Sequence, residues 1–125
     1  MTTLQEFAAK WGLSEDCGKY LAVPDGWLSH VDKMFRDLAL VRGWDPRYVT
    51  TIKNKLGGLR VYYGAIPHTV GSEALHSVVG IIVEAYVQEA QHICEKCGSQ
   101  DGVSTSADRR GWIRTVCIEH KEWIP

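Results

Sequence analysis

Three features of the sequence predict an α+β fold: helices packed on a small β-hairpin or sheet, with a small finger at the C-terminus. Apolar residues recur at helical spacing in three separate stretches. The stretch from Val49 to Gly64 is rich in strand-preferring residues on either side of Gly57-Gly58. The last part of the chain holds two close pairs of Cys and His residues but few aliphatic side chains.

The first helix is expected over Thr3 to Trp11, where Leu4, Phe7, Ala8 and Trp11 share one face, and Gly12 stops it. Ser14 to Gly26 reads as a loop. The second helix is expected from Trp27 to Arg42, with Leu28, Val31, Phe35 and Leu38 as its stripe and Gly43 as its C-terminal cap. Asp45-Pro46 marks a turn or a helix start. Between Val49 and Gly64 a hairpin turning at Gly57-Gly58 is favoured; the alternative is a short helix through Asn54 and a strand from Leu59. Ser72 is expected to cap the longest helix, which ends near Ile93. Its broad apolar face (Leu75, Val78, Val79, Ile82, Ala85, Tyr86, Ala90, Ile93) belongs in a core, and Gly80 marks a close approach by another element. Residues 1–93 thus form a helical α+β core, and residues 94–125 a finger packed on it.

Composition narrows the function classes. The 125 residues suit one domain with an appendage. Fourteen Lys and Arg against fifteen Asp and Glu give a net charge of −1, so no bulk field draws the chain to nucleic acid or to an anionic membrane. The longest aliphatic run, Val78 to Val83, is broken by Gly80 and is too short to cross a bilayer. The start, Met-Thr-Thr-Leu-Gln-Glu, lacks the basic and apolar regions of a secretory signal, which points to the cytoplasm.

In a reducing compartment, paired cysteines point to metal rather than to disulfides. Here Cys94-x2-Cys97 is followed after nineteen residues by Cys117-x2-His120. Zinc takes four ligands in a tetrahedron, from thiolate sulfur and imidazole nitrogen, so these four residues are the candidate ligands of a structural Zn2+. Gly98 follows Cys97, where a knuckle needs a left-handed backbone. Gly102 to Ser106 and Trp112 to Val116 suit a small hairpin, and Cys117 and His120 suit one face of a helical turn. Knuckle, hairpin and short helix make the order of a treble-clef finger; a zinc ribbon is the alternative. Three thiolates and an imidazole leave no open position, which favours a structural over a catalytic metal. The competing reading is unmetallated thiols beside a surface histidine.

Other residues carry weaker signals. Lys53, Lys55 and Arg60 flank Gly57-Gly58, and Arg109, Arg110 and Arg114 lie in the finger, with Tyr62, Tyr63 and Trp112 nearby. Cations interleaved with aromatics bind phosphates and stack bases, so Lys53, Lys55, Arg60, Tyr62, Arg109, Arg110 and Arg114 are candidate anion- or partner-binding residues; a solvated charged face is the alternative. His30, His68, His76 and His92 read as surface or packed residues. Cys17 reads as a small buried hydrophobe, because acidic neighbours Glu15, Asp16 and Asp25 disfavour a reactive thiolate. Most of the five tryptophans are expected in the core. With no phosphate loop, nucleophile elbow or paired-His metal helix, the chain is not expected to be an enzyme.

Two segments together carry a resemblance. Ile52-Lys53-Asn54-Lys55-Leu56-Gly57-Gly58-Leu59-Arg60-Val61-Tyr62 resembles a K-x-K-x-G-G-L-R-x-Y signature. Cys94-Glu95-Lys96-Cys97-Gly98, Gly111-Trp112-Ile113-Arg114-Thr115 and Cys117-Ile118-Glu119-His120 resemble C-E-x-C-G and G-W-x-x-T-x-C-x-x-H. Both signatures occur, in this order, in a family of small uncharacterised bacterial and phage proteins. Asn54 and Leu56 depart from the Glu and Phe of that pattern. The resemblance implies a zinc-bearing protein of bacterial or phage origin. The leading expectation is a non-enzymatic binding module that docks on a protein partner, one form being a phage or mobile-element inhibitor of a host system. The competitors are a nucleic-acid binder using the basic residues, and a small-molecule or nucleotide binder with a pocket between the Gly57-Gly58 hairpin and the long helix.

Overall fold

The computed structural model describes residues 3–13 and 20–124, and it is α+β. Cys17, with Glu15 and Asp16, lies outside the described residues. Helix α1 (Leu4–Trp11) starts where the Thr3 hydroxyl accepts from the Glu6 backbone N–H at 3.1 Å and stops at left-handed Gly12. Helix α2 (Asp25–Leu38) begins before Trp27 and ends with the last residue of its apolar stripe, short of Arg42. Pro24, at its cap position, sets the entry backbone, and Asp25 complements the positive end of the helix dipole. After Leu38 the chain leaves in a series of turns, and left-handed Gly43 falls in those turns instead of at the helix end.

Strand β1 (Tyr20–Leu21) runs parallel to β2 (Thr51–Lys55), which pairs antiparallel with β3 (Gly58–Tyr62), giving the order β1-β2-β3. The two residues of β1 fall in the expected loop, because a strand so short is defined only by a distant partner. Asp45 receives the Arg47 backbone N–H and starts a single 3-10 turn at Pro46–Tyr48. The β2–β3 hairpin forms as favoured, but one residue earlier: Leu56 (φ 56°) and Gly57 (φ 77°) hold the central positions and Gly58 already pairs with Lys55. Two successive positive φ angles are the type I′ geometry that matches strand twist.

Helix α3 (Ser72–Ala90) is entered through left-handed Gly71; Ser72 is not the cap, and its hydroxyl accepts from the Thr69 backbone N–H instead. The helix stops at Ala90 and single turns carry the chain to Ile93. α3 packs on α2 and β3, with Val79, Val83 and Ala90 buried. Its apolar face is not wholly in the core, since Val78 and Ala85 point outward. The close approach at Gly80 is by the Tyr63 hydroxyl.

The core joins all these elements. Phe7, Trp27, Val31, Met34, Phe35, Leu38, Val49 and Ile52 are fully enclosed, and Phe7 meets Phe35 edge-to-face at 5.0 Å. Trp27 follows the core expectation, Trp11 and Trp44 are half-buried against it, and Trp112 is 61% exposed. Beyond Ile93 a second small sheet pairs β4 (Ser104–Ala107) with β5 (Ile113–Val116), followed by a 3-10 turn at Ile118–His120. Among the described residues, no helix is long and apolar enough to cross a membrane.

Candidate metal centre

The turns that follow helix α3 lead the chain into Cys94. There the Gly98 N–H donates to the Cys94 carbonyl at 2.9 Å and the Cys94 N–H to the Ser99 carbonyl at 2.8 Å, closing a knuckle over left-handed Gly98. That turn aims Cys94 and Cys97 at one point. At the far end, β5 hands the chain to Cys117, and the 3-10 turn brings His120 back beside it. The ligand atoms of Cys94, Cys97, Cys117 and His120 all lie within 4.8 Å of one another. The order is knuckle, hairpin, then one 3-10 turn where a treble clef has a longer helix.

The spacings suit a tetrahedral ion. Two sulfurs on a tetrahedral zinc with bonds of about 2.3 Å sit about 3.8 Å apart. Cys97 Sγ and Cys117 Sγ are 3.8 Å apart, and His120 Nδ1 lies 3.7 Å from Cys94 Sγ and 3.2 Å from Cys117 Sγ. His120 therefore turns Nδ1, not Nε2, toward the set. Cys94 and Cys117 are buried, His120 is half-buried and Cys97 is exposed. Burial alone would raise the Cys94 thiol, but backbone hydrogen bonds from Cys117, Cys97 and Lys96 outweigh it and bring the pKa down to about 7. At Cys97, backbone hydrogen bonding at Ser99 lowers the thiol pKa, but burial and the neighbouring sulfurs win and leave it raised. The arrangement is a closed Cys3His group able to hold one metal ion.

The finger is fixed to the core at two places. At the first, the start of α2 abuts the knuckle: Gly26 N–H donates to the Glu95 carbonyl at 2.8 Å, and Trp27 Nε1 donates to the Ile93 carbonyl at 2.8 Å. A Cβ on Gly26 would fall 2.0 Å from the Cys94 carbonyl oxygen, so the approach requires glycine. At the second, the tip of the β2–β3 hairpin meets the β4–β5 sheet. Thr115 Oγ1 donates to the Gly57 carbonyl at 2.6 Å and shares a 2.7 Å hydrogen bond with Thr105. A Cβ on Gly57 would meet Thr105 at 2.9 Å and Thr115 at 3.0 Å.

Glu95, between the knuckle cysteines, ties both places together. It is 1% exposed; Oε2 accepts from the Thr115 N–H and Oε1 from Asn54 Nδ2, each at 2.6 Å. Arg114 Nη1 stands 3.7 Å from the same Oε1. Burial pushes the Glu95 carboxyl above its ordinary value, against the pull of Thr115, Arg114 and Asn54.

The candidate anion- or partner-binding residues do not gather in one patch. Lys53 sits over the Tyr62 ring at 5.6 Å, beside an open groove of about 690 Å³ between the hairpin and α3. Arg60 is exposed on β3. Arg109 reaches Glu122 at 3.5 Å, both side chains exposed. Arg114 is largely covered, held by Glu95 and by Asp108 at 3.7 Å, and lies 5.6 Å from the Trp112 ring centre. Lys55, Arg110 and Arg114 do line one groove, of about 430 Å³, with Asn54, Leu56 and Trp112. His30 is a packed residue: it is buried, with Nε2 2.8 Å from the Tyr86 carbonyl. His68 stacks on His76.

Residue patterns alone do not single out Gly26, Glu95 or Thr115, because each matters only through a contact distant in the chain. Glu95, Gly57 and Thr115 do fall within the two signature segments, and that is the one signal of them in the sequence. Comparison with known protein families, curated proteins and solved structures gives no match.

Proposed function

We propose that the Cys3His group holds one structural zinc ion and that the chain is a non-enzymatic binding protein that docks on a protein partner at the seam between hairpin tip and finger. Sulfur-rich tetrahedral sets favour zinc, and a closed set serves folding. One observation carries the docking reading. Leu56 and Trp112, 69% and 61% exposed, line the same seam groove, rimmed by Lys55 and Arg110. Leu56 is also held at φ 56°, a left-handed backbone that costs a residue with a Cβ roughly 1–2 kcal/mol. The exposed Trp112 is the kind of aromatic anchor found at binding hot spots, and the strained, exposed Leu56 beside it extends the apolar surface. The cationic rim favours an acidic segment on the partner. Given the resemblance to small bacterial and phage proteins, a phage or mobile-element inhibitor of a host system, acting in the cytoplasm, is the form this reading favours.

The test is comparative capture from bacterial lysate, using the intact zinc-loaded chain and the variants Leu56→Asp and Trp112→Ala. A protein held by the wild type and lost by both folded variants supports the reading. No captured protein, or equal capture by all three, overturns it. Trp112 beside Lys55 and Arg110 also favours a second reading, stacking and phosphate contact with single-stranded nucleic acid. That reading requires a salt-dependent mobility shift with DNA or RNA, lost in Trp112→Ala.

A further inference from the structure

Helix α3 carries a second apolar stripe, about a third of a turn round from its core-facing side, that the described chain leaves exposed. Toward the core it turns Val79, Val83 and Ala90, with Leu75, Ile82 and Tyr86 packed alongside. Round the helix from that side Ala74, Val78, Ile81 and Ala85 are exposed, Val78 by 43% and Ile81 by 73%. Their spacing (i, i+4, i+7, i+11) brings them into one narrow stripe about 17 Å long. It is the seam spacing of two helices packed along their length, and the two alanines let a second backbone come close.

The charges beside the stripe select what can cover it. The only ionised residues of α3 are Glu73, Glu84 and Glu89; the helix has no Lys or Arg. Two copies of α3 laid together, parallel or antiparallel, would each offer the other only carboxylates. We propose that this face docks a helix of a protein partner that carries an apolar stripe flanked by Lys and Arg. The flanking cations meet Glu73 and Glu84 on one flank and Glu89 on the other, as the e and g charges of a coiled coil do, while the apolar stripes supply most of the contact. This surface is separate from the seam groove, and the inference does not rest on the docking reading of that groove.

The test uses the full zinc-loaded chain and three synthetic helical peptides. One has Leu at the seam positions and Lys or Arg beside them, one keeps the Leu seam with Glu beside it, and one keeps the cations with Ser at the seam. Fluorescence anisotropy is expected to show binding of the first peptide alone, weakened by salt. Ile81→Glu is expected to weaken it at least about tenfold, with helix content and bound metal unchanged. Because Ile81 is exposed, that variant retains the fold; Val78→Ser is the milder second variant. The inference is overturned if the first peptide fails to bind, if the Glu-flanked peptide binds equally, if the seamless cationic peptide binds equally, or if Ile81→Glu leaves binding unchanged. Sedimentation equilibrium of the chain alone supplies the other contrary result. A dimer that Ile81→Glu dissociates would assign the face to a second copy.

Discussion

Before Cys94, seventeen buried apolar residues among those described form one continuous cluster; after Ile93, the buried cluster has three members, and two of them are the candidate metal ligands Cys94 and Cys117. The first region can hold together by removing apolar area from water. The second cannot, since β4 is exposed along its length and only Val116 adds an aliphatic side chain to its buried cluster. What it has instead is a ligand set and a buried carboxylate. The two regions are joined where Gly26 admits the knuckle backbone and Gly57 admits the Thr105 and Thr115 side chains.

The largest effect that sharpens this contrast is metal removal. Ligation in isolated fingers is worth on the order of 10 kcal/mol. Chelation should therefore abolish amide hydrogen-exchange protection from Cys94 onward while α2 and β2 keep theirs. Equal loss in both regions would break the contrast and make the chain one cooperative unit. Next comes Phe35→Ala, which removes a fully buried ring packed on Phe7 and Trp11 and should cost about 4 kcal/mol in chemical denaturation. Bound metal should stay unchanged in the folded variant. Glu95→Ala leaves the Thr115 N–H and Asn54 Nδ2 without their acceptor and Arg114 with Asp108 alone, and should cost about 3 kcal/mol. It should also loosen exchange protection at the seam, in both the hairpin tip and β5, without emptying the metal site.

The smallest effect concerns the core region alone. Burial, aided by the hydrogen bond to Asp37, raises the Tyr86 pKa from 10.0 to about 12. The fold thus favours the neutral phenol, a contribution fully present below about pH 10 and lost as pH rises through about 12. Tyr86→Phe should flatten that alkaline limb of the stability profile, and an unchanged limb would contradict the assignment.

What was legible in the sequence is what depends on local spacing. The periods of Leu28, Val31, Phe35 and Leu38 marked α2, and the two ligand pairs marked the finger, because three- and four-residue spacings fix side-chain direction within one turn. β1 was not legible, since Tyr20 and Leu21 are a strand only by virtue of Thr51 and Ile52. The apolar period places Val78 and Ala85 in the core, because a period cannot say which side of an apolar helix its own chain covers. The candidate cations were legible as residue types but not as groups. Arg114 turns inward to two carboxylates, whereas Lys55 and Arg110, far apart in sequence, line one groove.

The division of order between core and finger depends on a resident ion at Cys94, Cys97, Cys117 and His120. Elemental analysis of protein purified without added metal should find one zinc per chain, and little or none in Cys97→Ser. Wild-type protein that is folded in its tail yet carries no stoichiometric metal would contradict it.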